Sequence, residues 1–87
     1  MKYIANPVEV DAFKIFGIDI KIGDPNIYLL LENGEKVIAT PEMTSRYIPK
    51  LNDYWVIQSD GYVYLNPKDV FERKYRKAVA YLESYKN

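Results

Sequence analysis

The stretch NDYWVIQSDGYVYLNPKDVFERKYRK, residues 52–77, contains two alternating apolar segments around Asp60-Gly61, followed by the start of a helix. An Asp-Gly pair between such segments is typical of a β-hairpin with a two-residue turn. This turn would pair Ile57 with Tyr64. In that register one face of the hairpin carries Trp55, Ile57, Tyr62 and Tyr64, and the other carries Tyr54, Val56, Val63 and Leu65.

The segment after this hairpin predicts a C-terminal helix. Asn66-Pro67 supplies a helix-capping side chain followed by a proline suited to the first helical position. No glycine or proline interrupts the chain after Pro67, so we expect a helix over about residues 67–85. Four apolar residues recur at helical spacing and should pack on the sheet: Phe71, Tyr75, Val79 and Leu82.

The rest of the chain favours further antiparallel strands. Residues 26–40 read as a second hairpin around Asn33-Gly34, with a predicted type I′ turn. The segments on either side of Gly17 alternate as strands, with Gly17 as a bulge or turn between them. Thr40-Pro41 predicts the start of a short helix. The sequence therefore predicts one α+β domain over residues 1–87, with a mostly antiparallel sheet of two hairpins plus N-terminal strands, one short helix and a C-terminal helix.

The composition excludes many enzyme chemistries. The 87 residues include no cysteine and no histidine, which removes disulfides, thiolate metal sites and the usual general base. Glu9 and Asp11 share a strand face and could hold a cation, but a solvated strand face is the favoured interpretation. No apolar segment is long enough to span a membrane or to act as a signal peptide. We expect a non-enzymatic cytoplasmic protein with no cofactor, no metal and no membrane contact.

The charges are unevenly placed along a chain whose net charge is zero. Acidic residues exceed basic ones over residues 1–67, and the reverse holds over residues 68–87. The basic run near residues 73–77 could contact nucleic acid through phosphates. Nucleic-acid binding is nevertheless disfavoured, because a dedicated binding domain is usually strongly basic as a whole.

The chain contains nine tyrosines and one tryptophan, more than a core of this size should hold. Aromatic and arginine side chains are enriched where proteins bind one another. We therefore expect a binding surface in which exposed aromatic residues have a basic rim: Trp55, Tyr62, Tyr64, Tyr81 and Tyr85, with Arg73, Lys74, Arg76 and Lys77. Tyr81 and Tyr85 are also predicted to lie at the interface of a homodimer.

Two segments of the chain resemble a family of short bacteriophage proteins. The opening KYIANPVEVDAFKI is similar to that family's first strand, and NDYWVIQSDGYVYLNPKDVFERKY is similar to its C-terminal segment. The chain departs from the family at Asn52, where glycine is usual, and by continuing past Tyr75. The resemblance implies a phage origin and carries no catalytic residue.

These observations predict a phage protein that binds a host protein in the host cytoplasm and inhibits or redirects it, as in host takeover or anti-defence. A virion structural or decoration protein is the alternative. A nucleic-acid-binding accessory protein is the third interpretation.

Overall fold

The computed structural model describes the backbone of residues 2–5, 8–74 and 76–77, and the side chains of residues 9–74. The described chain is an α+β domain in which all strand pairs are antiparallel, which confirms the predicted fold class. Its strands are β1 (Lys2–Ala5), β2 (Val8–Ile20), β3 (Ile27–Leu31), β4 (Lys36–Ala39), β5 (Tyr54–Gln58), β6 (Val63–Asn66) and β7 (Arg76–Lys77), and its helices are α1 (Pro41–Thr44) and α2 (Lys68–Lys74).

The long strand β2 belongs to two sheets. Its first half pairs with β1 and β5, which gives sheet A the order β7–β1–β2–β5–β6. Its second half pairs with β3, which gives sheet B the order β2–β3–β4. The register shifts between Ile15 and Gly17, so the predicted break at Gly17 is a bulge inside one strand. A Cβ atom at Gly17 would lie 3.2 Å from Cβ of Leu30, and glycine permits this close approach.

Both hairpins have three-residue loops, and the predicted two-residue turns are wrong. Ile57 pairs with Val63, and Leu29 pairs with Val37. Gly34 and Gly61 have φ angles of 88° and 90°, as expected for a type I turn followed by a left-handed glycine. In the described chain, Asn52 is the one non-glycine residue with positive φ.

The loop type is stabilised by the residue before each glycine. Oδ1 of Asn33 accepts a hydrogen bond from the Glu35 N–H, and Oδ1 of Asp60 accepts one from the Tyr62 N–H, both at 3.0 Å. These Asx turns need no positive φ at Asn33 or Asp60. The register of each hairpin therefore differs by one residue from the prediction, and such a shift exchanges the faces of one strand relative to the other.

Sheet A is covered on both of its faces. On one face, Phe71 of α2 is fully buried and stacks on Tyr54, with ring centroids 4.0 Å apart. Val10, Ala12 and Val56 complete that core cluster. The other face packs against sheet B in a second cluster that includes Ile15, Leu29, Leu31, Trp55 and the partly buried Val63 and Leu65.

Both helices begin near the predicted positions. Helix α1 begins after Thr40, whose Oγ1 accepts a hydrogen bond from the Met43 N–H at 3.4 Å. Helix α2 begins near the predicted position but ends at Lys74, so the predicted helix to about residue 85 is wrong. Arg76–Lys77 instead forms β7 and pairs with β1, where sheet pairing satisfies the backbone groups. Residues 78–87 lie outside the described residues.

Candidate functional site

A cleft of about 260 Å³ lies between the α1 region and strand β6. The α1 side contributes Glu42, Met43, Arg46 and Tyr47, and the strand side contributes residues 62–65. Successive residues of a strand point to opposite faces of the sheet. Since four consecutive residues line this cleft, it runs along the edge of β6. We call it the β6 cleft.

The edge of β6 presents backbone hydrogen-bonding groups to the β6 cleft. The Gln58 N–H donates to the Tyr62 carbonyl at 2.8 Å, so the backbone groups of Tyr62 point toward β5. Alternation then directs the N–H and C=O of Val63 and Leu65 away from β5. Among the described strands, β6 pairs only with β5. The strand therefore has an open edge with two N–H donors and two C=O acceptors.

Two tyrosines and an arginine flank this open edge. The Tyr62 side chain is 51% exposed, and its ring centroid lies 5.9 Å from that of Tyr64. Tyr64 is half-buried and packs against the cluster beneath α2. Arg46 is exposed and has no ion-pair partner in the part of the chain that the structure describes. The β6 cleft thus combines an apolar floor, aromatic rings and one available cation.

A buried carboxylate fixes the α1 side of the cleft. Asp53 is 4% exposed, and its Oδ2 accepts hydrogen bonds from the Tyr47 hydroxyl at 2.7 Å and the Lys50 N–H at 2.8 Å. Its Oδ1 accepts from the Lys68 N–H at 2.9 Å, so Asp53 caps α2 in place of the predicted Asn66. Burial, together with the bond to Asp53, raises the pKa of Tyr47 to about 12. Asp53 therefore connects the cleft wall to the start of α2.

The structure describes three of the five predicted aromatic contact residues. Tyr62 and Tyr64 lie side by side and line the β6 cleft, with Tyr62 exposed and Tyr64 half-buried. Trp55 is wrong as an exposed contact, because it is 8% exposed and lies on the opposite face of the hairpin. The one-residue change of hairpin register is the physical reason. Tyr81 and Tyr85, and with them the predicted dimer interface, lie outside the described residues.

The predicted basic rim does not surround the β6 cleft. Arg73 and Lys74 are exposed on the last turn of α2 and do not line the cleft. Arg76 and Lys77 form β7, at the end of sheet A opposite β6. The cation beside the tyrosines is Arg46 instead. Sequence reasoning missed Arg46 because its position depends on where the segment after α1 packs.

A second depression, of about 380 Å³, lies on the outer face of sheet B around Gly17, Tyr28 and Leu30. Its polar groups already contact one another. The Tyr28 hydroxyl donates to Oδ2 of Asp24 at 2.6 Å, and Nζ of Lys21 lies 4.7 Å from the Tyr28 ring centroid. The hydrogen bond from Tyr28 lowers the pKa of Asp24. This depression is therefore a weaker candidate than the β6 cleft.

Two classes of site are not found in the described residues. Residues 9–74 contain no group of three or more acidic side chains arranged to hold a metal ion. In the same part of the chain, neither helix has the length and apolar character to cross a membrane.

Comparison with known protein families, curated proteins and solved structures finds no match to this chain. The resemblance to phage proteins stays a prediction.

Proposed function

We propose that this chain is a non-enzymatic binding protein and that the β6 cleft is its contact surface for a partner protein. One observation carries the proposal: an open strand edge lies beside an apolar cleft with two tyrosines and an available arginine. Such surfaces combine the backbone and side-chain groups that hold extended protein segments. The phage resemblance supports a host protein as the partner, bound inside the infected cell and thereby inhibited or redirected.

The state of Tyr47 supports binding over catalysis at the β6 cleft. A nucleophile or general base needs a pKa moved toward neutrality. The pKa of Tyr47 is raised to about 12 by burial and by its bond to Asp53, which is the opposite direction for a tyrosine that would act as a base. Tyr47 therefore serves better as a fixed wall of the cleft than as a reacting group.

Site-specific photo-cross-linking in infected host cells tests this proposal. A photoreactive residue replaces Tyr62 in one variant and Ile22 in the other. Ile22 is fully exposed and lies outside the β6 cleft. We expect a single abundant host protein to be cross-linked through position 62 and not through position 22. Equal labelling from both positions would contradict the proposed surface, and cross-links only to virion proteins would favour the structural alternative.

A further inference from the structure

We infer that the partner contributes an extended segment that adds to β6 as a further strand and places an acidic side chain beside Arg46. The inference rests on the proposed function and specifies how the β6 cleft binds. The N–H and C=O groups of Val63 and Leu65 face the cleft. An added strand pairs with alternate residues of an edge. These two residues therefore supply up to four hydrogen bonds to the segment.

Strand β4 is a second open edge among the described strands, and it carries a charged residue. The Leu31 N–H donates to the Glu35 carbonyl at 2.9 Å, so alternation turns the backbone groups of Lys36 and Ile38 outward. Lys36 is exposed at this edge, and a charged side chain on an edge strand opposes pairing with another strand. Strand β6 reads Val-Tyr-Leu-Asn and has no charge. Of these two edges, β6 is the one without a charged residue.

The charge of the β6 cleft favours an acidic segment over a second copy of the chain. A second copy that paired through its own β6 would bring the uncharged sequence Val-Tyr-Leu-Asn and would leave Arg46 without an anion. A segment with a carboxylate would pair with Arg46, whose planar guanidinium suits two hydrogen bonds to one carboxylate. Glu42 also lines the cleft, so a single acidic side chain fits better than an acidic run.

The size of the cleft agrees with one strand. Its volume of about 260 Å³ accommodates the side chains of a short extended segment. The wall opposite β6 is fixed, because Tyr47 is hydrogen-bonded to the buried Asp53. A preformed cleft reduces the conformational entropy that is lost on binding.

Backbone ester substitution tests the inference directly. The probe is the capped peptide acetyl-Thr-Val-Glu-Val-Thr-amide, and the protein is made by chemical synthesis with an ester in place of the Leu65 N–H. The matched control carries an ester in place of the outward Ile38 N–H on β4. Loss of one hydrogen bond should weaken binding of the probe about tenfold in the Leu65 ester and leave it unchanged in the Ile38 ester.

Charge reversal at the cleft supplies a second measurement. Arg46→Glu should weaken binding of the glutamate probe about tenfold and strengthen binding of the matched lysine probe. Equal effects of the two esters, or no binding of either probe, would overturn the inference. So would slower exchange of the β6 amides in the free protein at rising concentration, since a second copy would then occupy the edge. If the partner cross-linked through position 62 binds the Leu65 ester normally, the proposed function survives and strand addition fails.

Discussion

Two of the edge strands that the structure describes, β4 and β6, have the same length and follow the same kind of loop, but they differ in charge and in surroundings. Each strand has four residues and each follows a three-residue loop that ends in a left-handed glycine. Strand β4 begins with the exposed Lys36, whereas β6 is uncharged and borders a cleft with a fixed wall. On our proposal, β6 is the binding edge and β4 is not, because β6 has no charged residue and lies beside the fixed wall of the cleft.

The two hairpins also differ in how many of their faces are packed against the rest of the domain. The outer face of the β3–β4 hairpin is in solvent, where Leu30 and Ile38 are 39% and 48% exposed. The β5–β6 hairpin lies between α2 and sheet B, with Tyr54 and Trp55 buried on opposite faces. Packing on both faces restricts the backbone of β6. Its outward groups are therefore better positioned for a partner than those of β4.

The largest effect is expected for Asp53→Ala, which removes the buried carboxylate that holds the wall of the β6 cleft. The variant leaves the Tyr47 hydroxyl and the N–H groups of Lys50 and Lys68 without their acceptor. Loss of these three hydrogen bonds to a charged acceptor should lower the free energy of unfolding by about 3–5 kcal/mol, measured by urea denaturation. Asp60→Ala is the matched control, since it removes one bond in an exposed loop and should cost about 1 kcal/mol. Equal losses of unfolding free energy in the two variants would show that Asp53 stabilises the fold no more than an exposed loop aspartate does.

Tyr62→Lys should place a charged side chain at the edge of β6, as Lys36 already does at β4. Tyr62 is mostly exposed and precedes the first outward residue of β6. A lysine there should weaken binding of the glutamate peptide about tenfold, because it removes an aromatic contact and opposes strand addition. Thermal stability should hardly change. Fluorescence anisotropy measures the affinity, and Tyr62→Phe, which keeps the ring, should bind normally. Unchanged affinity of the lysine variant for the peptide would show that Tyr62 is not part of the binding surface.

Tyr47→Phe probes the wall of the cleft with a smaller expected cost, about 1 kcal/mol at neutral pH from one lost hydrogen bond. The effect depends on pH in a defined direction. The pKa of Tyr47 rises from its ordinary value of 10.0 to about 12 in the folded state, so the folded protein holds this proton more tightly than the unfolded chain. The associated stabilisation is present below pH 10 and is lost as the pH rises from 10 to 12.

The difference in stability between wild type and Tyr47→Phe should therefore shrink over that pH interval. Urea denaturation at several alkaline pH values measures it, with Tyr62→Phe as the control for an exposed tyrosine. A difference that stays constant up to pH 12 would contradict the account of Tyr47.

Lys36→Thr should have the smallest effect. It removes the charged side chain from the edge of β4, but it does not create a cleft beside that strand. We expect weak self-association through β4, worth a few tenths of a kcal/mol for the missing charge repulsion. Analytical ultracentrifugation over a range of concentrations measures it, with Lys21→Thr as a control outside β4. If wild type and Lys36→Thr sediment alike at every concentration, Lys36 does not guard this edge.

The sequence predicted those features that local chemistry determines. The α+β class, the two hairpins and the start of α1 at Thr40 follow from alternation, glycines and a capping side chain. The loop length was missed, since Asn-Gly and Asp-Gly pairs suit both a type I′ turn and a type I turn followed by a left-handed glycine. That choice decides on which side of the hairpin Tyr62 and Tyr64 lie relative to Trp55.

The features that depend on distant contacts were not predictable in the same way. Asp53 bonds to the nearby backbone of Lys50, but its bond to Lys68 joins residues 15 apart in the sequence. Arg46 follows a short helix, and nothing local indicates that it lies beside β6. The end of α2 at Lys74 depends on pairing between β7 and β1, which competes with a sequence suited to helix. The site is therefore a product of tertiary packing.

Amide hydrogen exchange measured by NMR, residue by residue, tests most directly whether β6 is the edge that binds. The exchange rates of Val63 and Leu65 are compared with those of Lys36 and Ile38, without and with the glutamate peptide. Strand addition to β6 predicts that the Val63 and Leu65 amides exchange at least tenfold more slowly with the peptide, while the two β4 amides are unchanged. Equal protection at both edges, or slower exchange at Lys36 and Ile38 alone, would contradict it.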